Sequence, residues 1–474
     1  MEKDIQKLAQ EEFEFILNEY ILPLFDTKGK IKFNNYPRKN KELISIQKID
    51  ENVSIAYFYP CKSTREKLTP FNYSIKIHSS SAIKKRAICI LRELIKVAEY
   101  NCLTYSKQRD YGKKQESEST YKTKTFDLAF EIGMCKWLTN SNENEAITLH
   151  RLISRLEEWA GKTYEGKKTA FGIVMNFEEE AIETAADYLH FLENDNSAVF
   201  TDGVYSGILL DKKGKVLSFL TKYSDSVHFD EKQQEVFVPF QFVDIAKFCN
   251  KFSVGIIALT NGELIIIKEY SICFAKRGRK WVTFDWDRVY VKLRPYFLLS
   301  KYEDEVQIEK DIKKLYCTML DVSFSHTGAC IALVIPEEEE NISSVTNERI
   351  DLYIKGSLPS EISKESREKI EILTYLLSYP KLPIKSFFEI EKPFRKEILS
   401  LDGATVVSLD GKFYCAGSIV SVSGGSSGGG RTAAAKKLAK YGVGIKISED
   451  GYIEAYGKNM DSSTPRILSL FKFK

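Results

Sequence analysis

The stretch Ser423-Gly424-Gly425-Ser426-Ser427-Gly428-Gly429-Gly430 runs directly into Arg431-Thr432-Ala433-Ala434-Ala435. Glycine lets backbone N–H groups approach an anion closely, and the unpaired N–H groups and dipole of a helix N-terminus favour a phosphate there. Arg431 adds a bidentate phosphate donor and Thr432 a hydroxyl, at the opening of an Ala-rich helix over Arg431 to Tyr441. Gly428, Gly429, Gly430, Arg431 and Thr432 are therefore candidate nucleotide-binding residues. Opening a helix, Thr432 is expected to be partly exposed. The plain alternative is a flexible linker, but a linker has no reason to end on Arg-Thr and a helix. Gly425 to Thr432 also spells G-x-x-x-x-G-R-T, one residue from a P-loop. Too few residues follow Thr432 for the remaining strands and metal-binding aspartate of such a domain.

Outward from this loop the chain alternates between helix and strand. Upstream, Thr405 to Leu409 and Lys412 to Val422 read as strands around Asp410-Gly411. Ala329 to Ile335 is an all-apolar run that suits a strand buried on both faces. Helices are expected over Glu305 to Val322 and Ser366 to Tyr379, and Glu337 to Asn347 is a polar loop. Downstream, Val443 to Ile447 and Tyr452 to Tyr456 close around Glu449-Asp450-Gly451. The expected fold is an α/β C-terminal domain with a mixed central sheet flanked by helices. Leu401-Asp402-Gly403-Ala404 sits just before one strand. A carboxylate there can hold a divalent metal, although Asp-Gly before a strand is most often only a turn.

The combination carries more than its parts. The order strand, Gly-rich loop, Arg-led helix, strand, Ser448-Glu449-Asp450-Gly451 turn, strand resembles the diadenylate cyclase domain of the DisA and CdaA type. Asp402-Gly403-Ala404 matches that family's Asp-Gly-Ala motif. Gly429-Gly430-Arg431-Thr432-Ala433-Ala434-Ala435 matches its Gly-Thr-Arg-His-Arg-Ala-Ala loop in part. Ile447-Ser448-Glu449-Asp450-Gly451-Tyr452-Ile453 matches its Val-Ser-Glu-Glu-x-Gly-x-Ile segment. Ala416 to Val420 falls at a small-residue strand of the family, and His326-Thr327-Gly328-Ala329 at its Gly-Ala lead into the first core strand. The likeness covers residues 300–460 or thereabouts. Gly430 stands where the family has Thr, and Thr432 where it has a His of the metal and phosphate site.

The resemblance implies that each domain binds one ATP, with the triphosphate on the Gly-rich loop. Asp402 would be catalytic and hold Mg²⁺ or Mn²⁺, Arg431 and Thr432 would act on the phosphates, and Gly403, Ala404, Gly428, Gly429, Gly430 and Glu449 would line the nucleotide site. Two domains facing each other in a homo-oligomer would condense two ATP into cyclic di-AMP, or a related cyclic dinucleotide, releasing pyrophosphate. The alternative is a degenerate relative that binds or senses a nucleotide, which Thr432 favours and the intact Asp402-Gly403-Ala404 opposes.

The rest of the chain bounds the setting. Its 474 residues predict about three domains at roughly 150 residues each. We expect an α+β module over 1–105, a polar linker over 106–125, a helical and then β-rich sensor-like module over 126–300, and the cyclase-like domain over 301–474. Helices are expected over Glu2 to Ile21, Ala82 to Asn101, Phe126 to Leu138, Glu143 to Ala160 and Glu178 to Leu192, with weak strands between Phe33 and Ile77. In the β-rich part, Tyr205 to Leu210 and Val216 to Leu220 are strands, and Asn261-Gly262 marks a hairpin between Val254 to Leu259 and Glu263 to Lys268. A second hairpin joins Ile272 to Ala275 and Trp281 to Phe284. Lys and Arg total 69 against 66 Asp and Glu, too even for a general nucleic-acid coat. No long apolar run predicts a membrane span, and no apolar leader opens the chain. The nine cysteines have no paired spacing, which suits reduced thiols in the cytoplasm.

Other candidates are weaker. The five histidines lack metal-like spacing, and His326 is expected to cap or pack rather than to ligate. Glu178-Glu179-Glu180 suits a helix first turn. Lys276-Arg277-Gly278-Arg279-Lys280 reads as a solvated basic hairpin tip.

Overall fold

The structure, a computed structural model, describes residues 11, 14–21, 29–34, 44–48, 53–58, 72–78, 86–87, 89–98, 118–160, 162–164, 166–193, 200–221, 223–224, 229, 235–278, 280–300, 304–335, 386–420, 429–459 and 466–473. The chain divides into two compact units, residues 1–228 with 248–269 and residues 229–247 with 270–474.

In the first unit the expected weak strands are β1 (Gly29–Asn34), β2 (Ile44–Lys48), β3 (Val53–Phe58) and β4 (Asn72–His78), an antiparallel sheet of order β1-β4-β3-β2. Residues 89–98 are helical, inside the span expected to be so. Helix α1 (Glu118–Leu138) begins within the stretch read as a linker. Glu and Lys are good helix formers and Ser and Thr disfavour a helix only mildly, so the helix that the apolar pattern from Phe126 specifies propagates back through them. Helix α2 (Glu143–Trp159) starts where the Asn142 side chain accepts the Glu145 N–H at 3.4 Å and buries Leu149, Leu152, Ile153 and Leu156 along one stripe.

After the short pair β5 (Thr163–Tyr164) and β6 (Lys167–Lys168) comes β7 (Phe171–Asn176), a strand that sequence reading missed. Helix α3 (Tyr188–Glu193), β8 (Ser206–Leu210), β9 (Val216–Thr221), β10 (Ser253–Ala258) and β11 (Leu264–Lys268) follow. Within this unit the strands run β11-β10-β7-β8-β9, parallel only between β7 and β8. The Asn261-Gly262 hairpin is present, with the Asn261 Oδ1 accepting the Glu263 N–H at 3.0 Å. The helix expected over Glu178 to Leu192 is only α3. Upstream of it the backbone is drawn instead to the β8–β9 turn: Asp211 Oδ2 accepts the Ala181 N–H at 3.1 Å and Ala186 O accepts the Val216 N–H at 2.9 Å. Long-range partners for these backbone groups outcompete a local helix.

The second unit contains α4 (Val243–Ala246), the antiparallel pair β12 (Ser271–Arg277) and β13 (Lys280–Thr283), α5 (Trp286–Phe297) and α6 (Glu305–Ser325). Then come β14 (Ala329–Val334), α7 (Lys392–Leu399), β15 (Ala404–Ser408), β16 (Phe413–Ser418), α8 (Gly429–Leu438), β17 (Gly442–Ile447), β18 (Ile453–Lys458) and β19 (Ile467–Phe473). The helix expected over residues 366–379 and the loop over 337–347 lie outside the described residues. The sheet has the order β16-β15-β14-β17-β18-β19, with β14 and β15 parallel and every other pair antiparallel. This is the expected mixed α/β sheet flanked by helices.

Every residue of β14 is buried, as its unbroken apolar run requires at the centre of a sheet covered on both sides. Cys330, Ala332 and Val334 pack with Ala435, Leu438 and Ala439 of the α8 segment. That helix lies so close that a Cβ on Gly444 of β17 would overlap the Ala435 carbonyl, which accounts for its run of alanines. By alternation Ile331 and Leu333 face the other way, toward α6 and α7. Those two helices are tied by the buried Arg395, whose Nε donates to Thr318 Oγ1 at 3.1 Å.

Candidate functional site

Register alone gathers the predicted residues at one edge of the second sheet. Strands β14 and β15 are parallel with Cys330 opposite Ala404, so Gly328 and Asp402 precede neighbouring strand starts on the same side. Ile447 pairs with Ala329 and Ser418 with Ala404, which brings the ends of β17 and β16 to that edge. Ser448-Glu449 and Gly417-Ser418 therefore flank Gly328 and Asp402-Gly403.

Arg431 and Glu449 meet directly, Nη1 to Oε1 at 2.7 Å. Gly328, at φ 70, makes room for them: a Cβ there would stand 2.8 Å from Arg431 Nη1 and 3.0 Å from its Cζ. Beneath, burial pushes the Cys330 thiol up to about 12, against the opposing pull of the Arg431 charge, so this thiol is an inert core group. With 36% and 67% of their side chains exposed, Arg431 and Glu449 form a surface ion pair worth about 0–1 kcal/mol. The pair can open at little cost to receive another anion.

Asp402 is exposed, and its carboxylate makes no hydrogen bond or ion pair among the described residues. Gly403 fixes its position. At φ 106 it passes so close to β16 that a Cβ would overlap the Gly417 carbonyl carbon and lie 2.6 Å from the Gly417 oxygen. Gly429 and Gly430 are exposed at the start of α8, where first-turn N–H groups point outward, whereas Gly428 lies outside the described residues.

Two predicted site residues face inward instead. Thr432 is 5% exposed, not the partly exposed residue expected, because it lies on the stripe with Ala435 and Leu438 that the helix buries. Ala404 is 1% exposed and belongs to the core under α8, so its methyl group packs and does not line a ligand site.

The turn carrying Glu449 is held by residues that the motifs did not indicate. Arg277, read as part of a solvated tip, is 5% exposed. Its Nη1 donates to the Gly451 carbonyl and its Nη2 to Ser323 Oγ at 2.9 Å, while Ser323 Oγ donates to the same carbonyl at 2.5 Å. Its guanidinium stacks 4.4 Å from the Phe324 ring centroid. His326 ends α6 in a left-handed conformation, and its Nδ1 lies 2.8 Å from the Glu449 carbonyl oxygen, the capping role expected of it. Thr327 Oγ1 then bridges Ser325 Oγ at 3.2 Å and Ser400 Oγ at 3.0 Å, linking the start of β14 to the loop that carries Asp402. Nothing in the basic run signalled that Arg277, and Lys276 beside it at 9% exposed, would be buried while Gly278 and Lys280 stay exposed.

No helix among the described residues is long and apolar enough to cross a membrane. Comparison with known proteins finds no family model, no curated protein and no solved structure that matches this chain.

Proposed function

We propose that this edge binds ATP and that the protein is a diadenylate cyclase-like nucleotidyltransferase of the cytoplasm, governed by its N-terminal region. The observation that carries the reading is the convergence of three separated motifs. Asp402-Gly403, the Arg431 helix start and the Glu449 turn share one sheet edge, with an exposed, weakly held guanidinium and an exposed carboxylate that has no partner among the described residues. Arg431 and the first-turn N–H groups of α8 would bind the triphosphate, Arg431 exchanging Glu449 for phosphate. Asp402 offers a single hard carboxylate, which fits Mg²⁺ or Mn²⁺ held jointly with phosphate oxygens and water. Such an ion, when bound, neutralises phosphate charge and acidifies a bound hydroxyl. The 3′-oxygen of one ATP would attack the α-phosphorus of the other; the bond to pyrophosphate breaks and the hydroxyl proton leaves to solvent. Repeating the step closes cyclic di-AMP or a related ring. Because one domain holds one substrate, two domains of a homo-oligomer would face each other. Catalysis would be chiefly positioning and charge neutralisation.

The second reading is a domain that binds nucleotide without turnover. The inward-facing Thr432, where the family has an imidazole, favours it. Incubation with ATP and Mn²⁺, followed by identification of the product, separates the two. We expect a cyclic dinucleotide and pyrophosphate, with Asp402→Asn lowering the rate about 10²-fold or more. ATP binding with no product supports the second reading, and absence of ATP binding removes both.

A further inference from the structure

One row of paired residues runs across the second sheet beside the Asp402–Arg431 edge. Register sets Ser418 opposite Ala404, Ala404 opposite Cys330, Cys330 opposite Lys446, Lys446 opposite Glu454 and Glu454 opposite Lys472. Directly paired residues share a face, and Cys330 and Ala404 pack under α8, so the whole row lies on the α8 side. The helix crosses β17 at Gly444, which meets Ala435, two residues before Lys446. Alongside the helix start the face carries lysines instead of apolar side chains.

Lys446 and Lys472 are half-buried, and neither ammonium has a hydrogen bond or an ion pair among the described residues. Neither Nζ is buried, so both heads reach water while the stems pack. Glu454 between them is 6% exposed, and its Oε2 accepts the Tyr456 hydroxyl at 2.5 Å. Lys436 of α8 stands over the Tyr456 ring, 5.4 Å from its centroid. Three lysines thus surround one carboxylate that a phenol already engages, and their excess positive charge favours an anion.

Position selects the anion. The Arg431 guanidinium lies over Gly328, two residues before Cys330 on the same face. Lys446 is therefore one strand across and two residues along from it, about 8 Å between backbones. The strand order β15-β14-β17 puts Asp402 on one side of Arg431 and Lys446 on the other. A chain of linked phosphates that starts between Asp402 and Arg431 continues onto the lysines.

We propose that Lys446, with Lys436 and Lys472 beside it, holds the terminal pyrophosphate group of a nucleoside triphosphate whose α-phosphate lies between Asp402 and Arg431. The inference rests on the nucleotide reading of that edge and adds a place for the group that leaves. When the 3′-oxygen forms its bond to the α-phosphorus and gives its proton to solvent, the bond from phosphorus to the bridging oxygen breaks. The electron pair stays on that oxygen, and the lysines offset the charge that develops on the departing pyrophosphate.

Calorimetric titration of the full-length protein with Mg²⁺ and α,β-methylene-ATP, AMP or inorganic pyrophosphate reads the proposal, since the carbon bridge of the analogue cannot be cleaved. The analogue should bind about tenfold or more tighter than AMP. Lys446→Met, which keeps the packed stem and removes the charge, should weaken the analogue and pyrophosphate about tenfold and leave AMP within about twofold. Lys446→Arg should restore most of the affinity. Lys436→Met, at an exposed position of α8 that the sheet does not need, should weaken pyrophosphate about threefold. Equal affinity for the analogue and AMP, or pyrophosphate binding unmoved by both methionine variants, would overturn the inference. Binding of the analogue that Arg431→Ala abolishes and the lysine variants leave unchanged sinks this inference alone and keeps the nucleotide reading. Pyrophosphate binding lost in Lys446→Met, with neither nucleotide bound, upholds the lysine site and removes the nucleotide reading.

Discussion

Replacing Arg277 by alanine should loosen the turn that carries Glu449. The guanidinium donates hydrogen bonds to the Gly451 carbonyl and to Ser323 Oγ and stacks on Phe324. Hydrogen bonds from a charged donor contribute roughly 1.5–3 kcal/mol each, and a desolvated cation–π contact up to about 2. Against these stands the desolvation of a guanidinium only 5% exposed, which alanine relieves. The Gly451 carbonyl keeps its bond from Ser323 and is not orphaned, whereas the buried Ser323 Oγ loses its donor. The net loss is about 3–4 kcal/mol. At roughly 2–4 °C per kcal/mol for a unit of this size, the second unit should melt about 6–16 °C lower. Amide exchange should quicken at Gly451 and Tyr452, whose N–H groups bond Ser448 across the turn. Arg277→Lys should recover less than half the loss, since an ammonium cannot fork to two acceptors and stack. A Tm for Arg277→Ala within about 2 °C of the parent, with unchanged exchange at the turn, would refute the argument. Full rescue by lysine would show that charge alone suffices.

Gly403→Ala should cost about 3 kcal/mol or more, because the site combines φ 106 with overlap onto Gly417; a chemical melt of the purified variant checks it. Thr432→His should lower stability by about 1–3 kcal/mol through overpacking, since only 5% of Thr432 is exposed; unchanged Tm would mean that the α8 N-terminus yields easily. The Asp321 carboxyl is raised in the folded state, so it binds more protons there than in the unfolded chain, and folding loses stability as pH rises from about 4 to about 6. Its contribution reaches about 3 kcal/mol of destabilisation above pH 6. Asp321→Asn should therefore gain on the parent across that window and stay level above it, as melts at a series of pH values will tell.

Much of the second unit was legible because its signals are local. The apolar run at Ala329, the Asp-Gly turns and the Ala-rich helix each specify their own conformation, and residues 404–408, 413–418, 442–447 and 453–458 are strands where the pattern put them. The Arg431–Glu449 contact was implied only as a shared nucleotide site; the antiparallel register of β14 and β17 made it a pair. Sequence reading failed where the deciding partner lies far along the chain. The backbone after Glu178 follows Asp211 instead of forming a helix, because a buried carboxylate acceptor competes with local hydrogen bonds.

The sequence by itself determined where strands, turns and the Arg-led helix fall, since side-chain period and glycine placement act within a few residues. It also determined which residue types stand at the strand starts. Only the tertiary structure decided which polar side chains are buried. Arg277 reaches a carbonyl 174 residues away and Asp321 a backbone N–H 81 residues away. A charge is excluded from water or turned inward by what packs over it, and no local pattern encodes that.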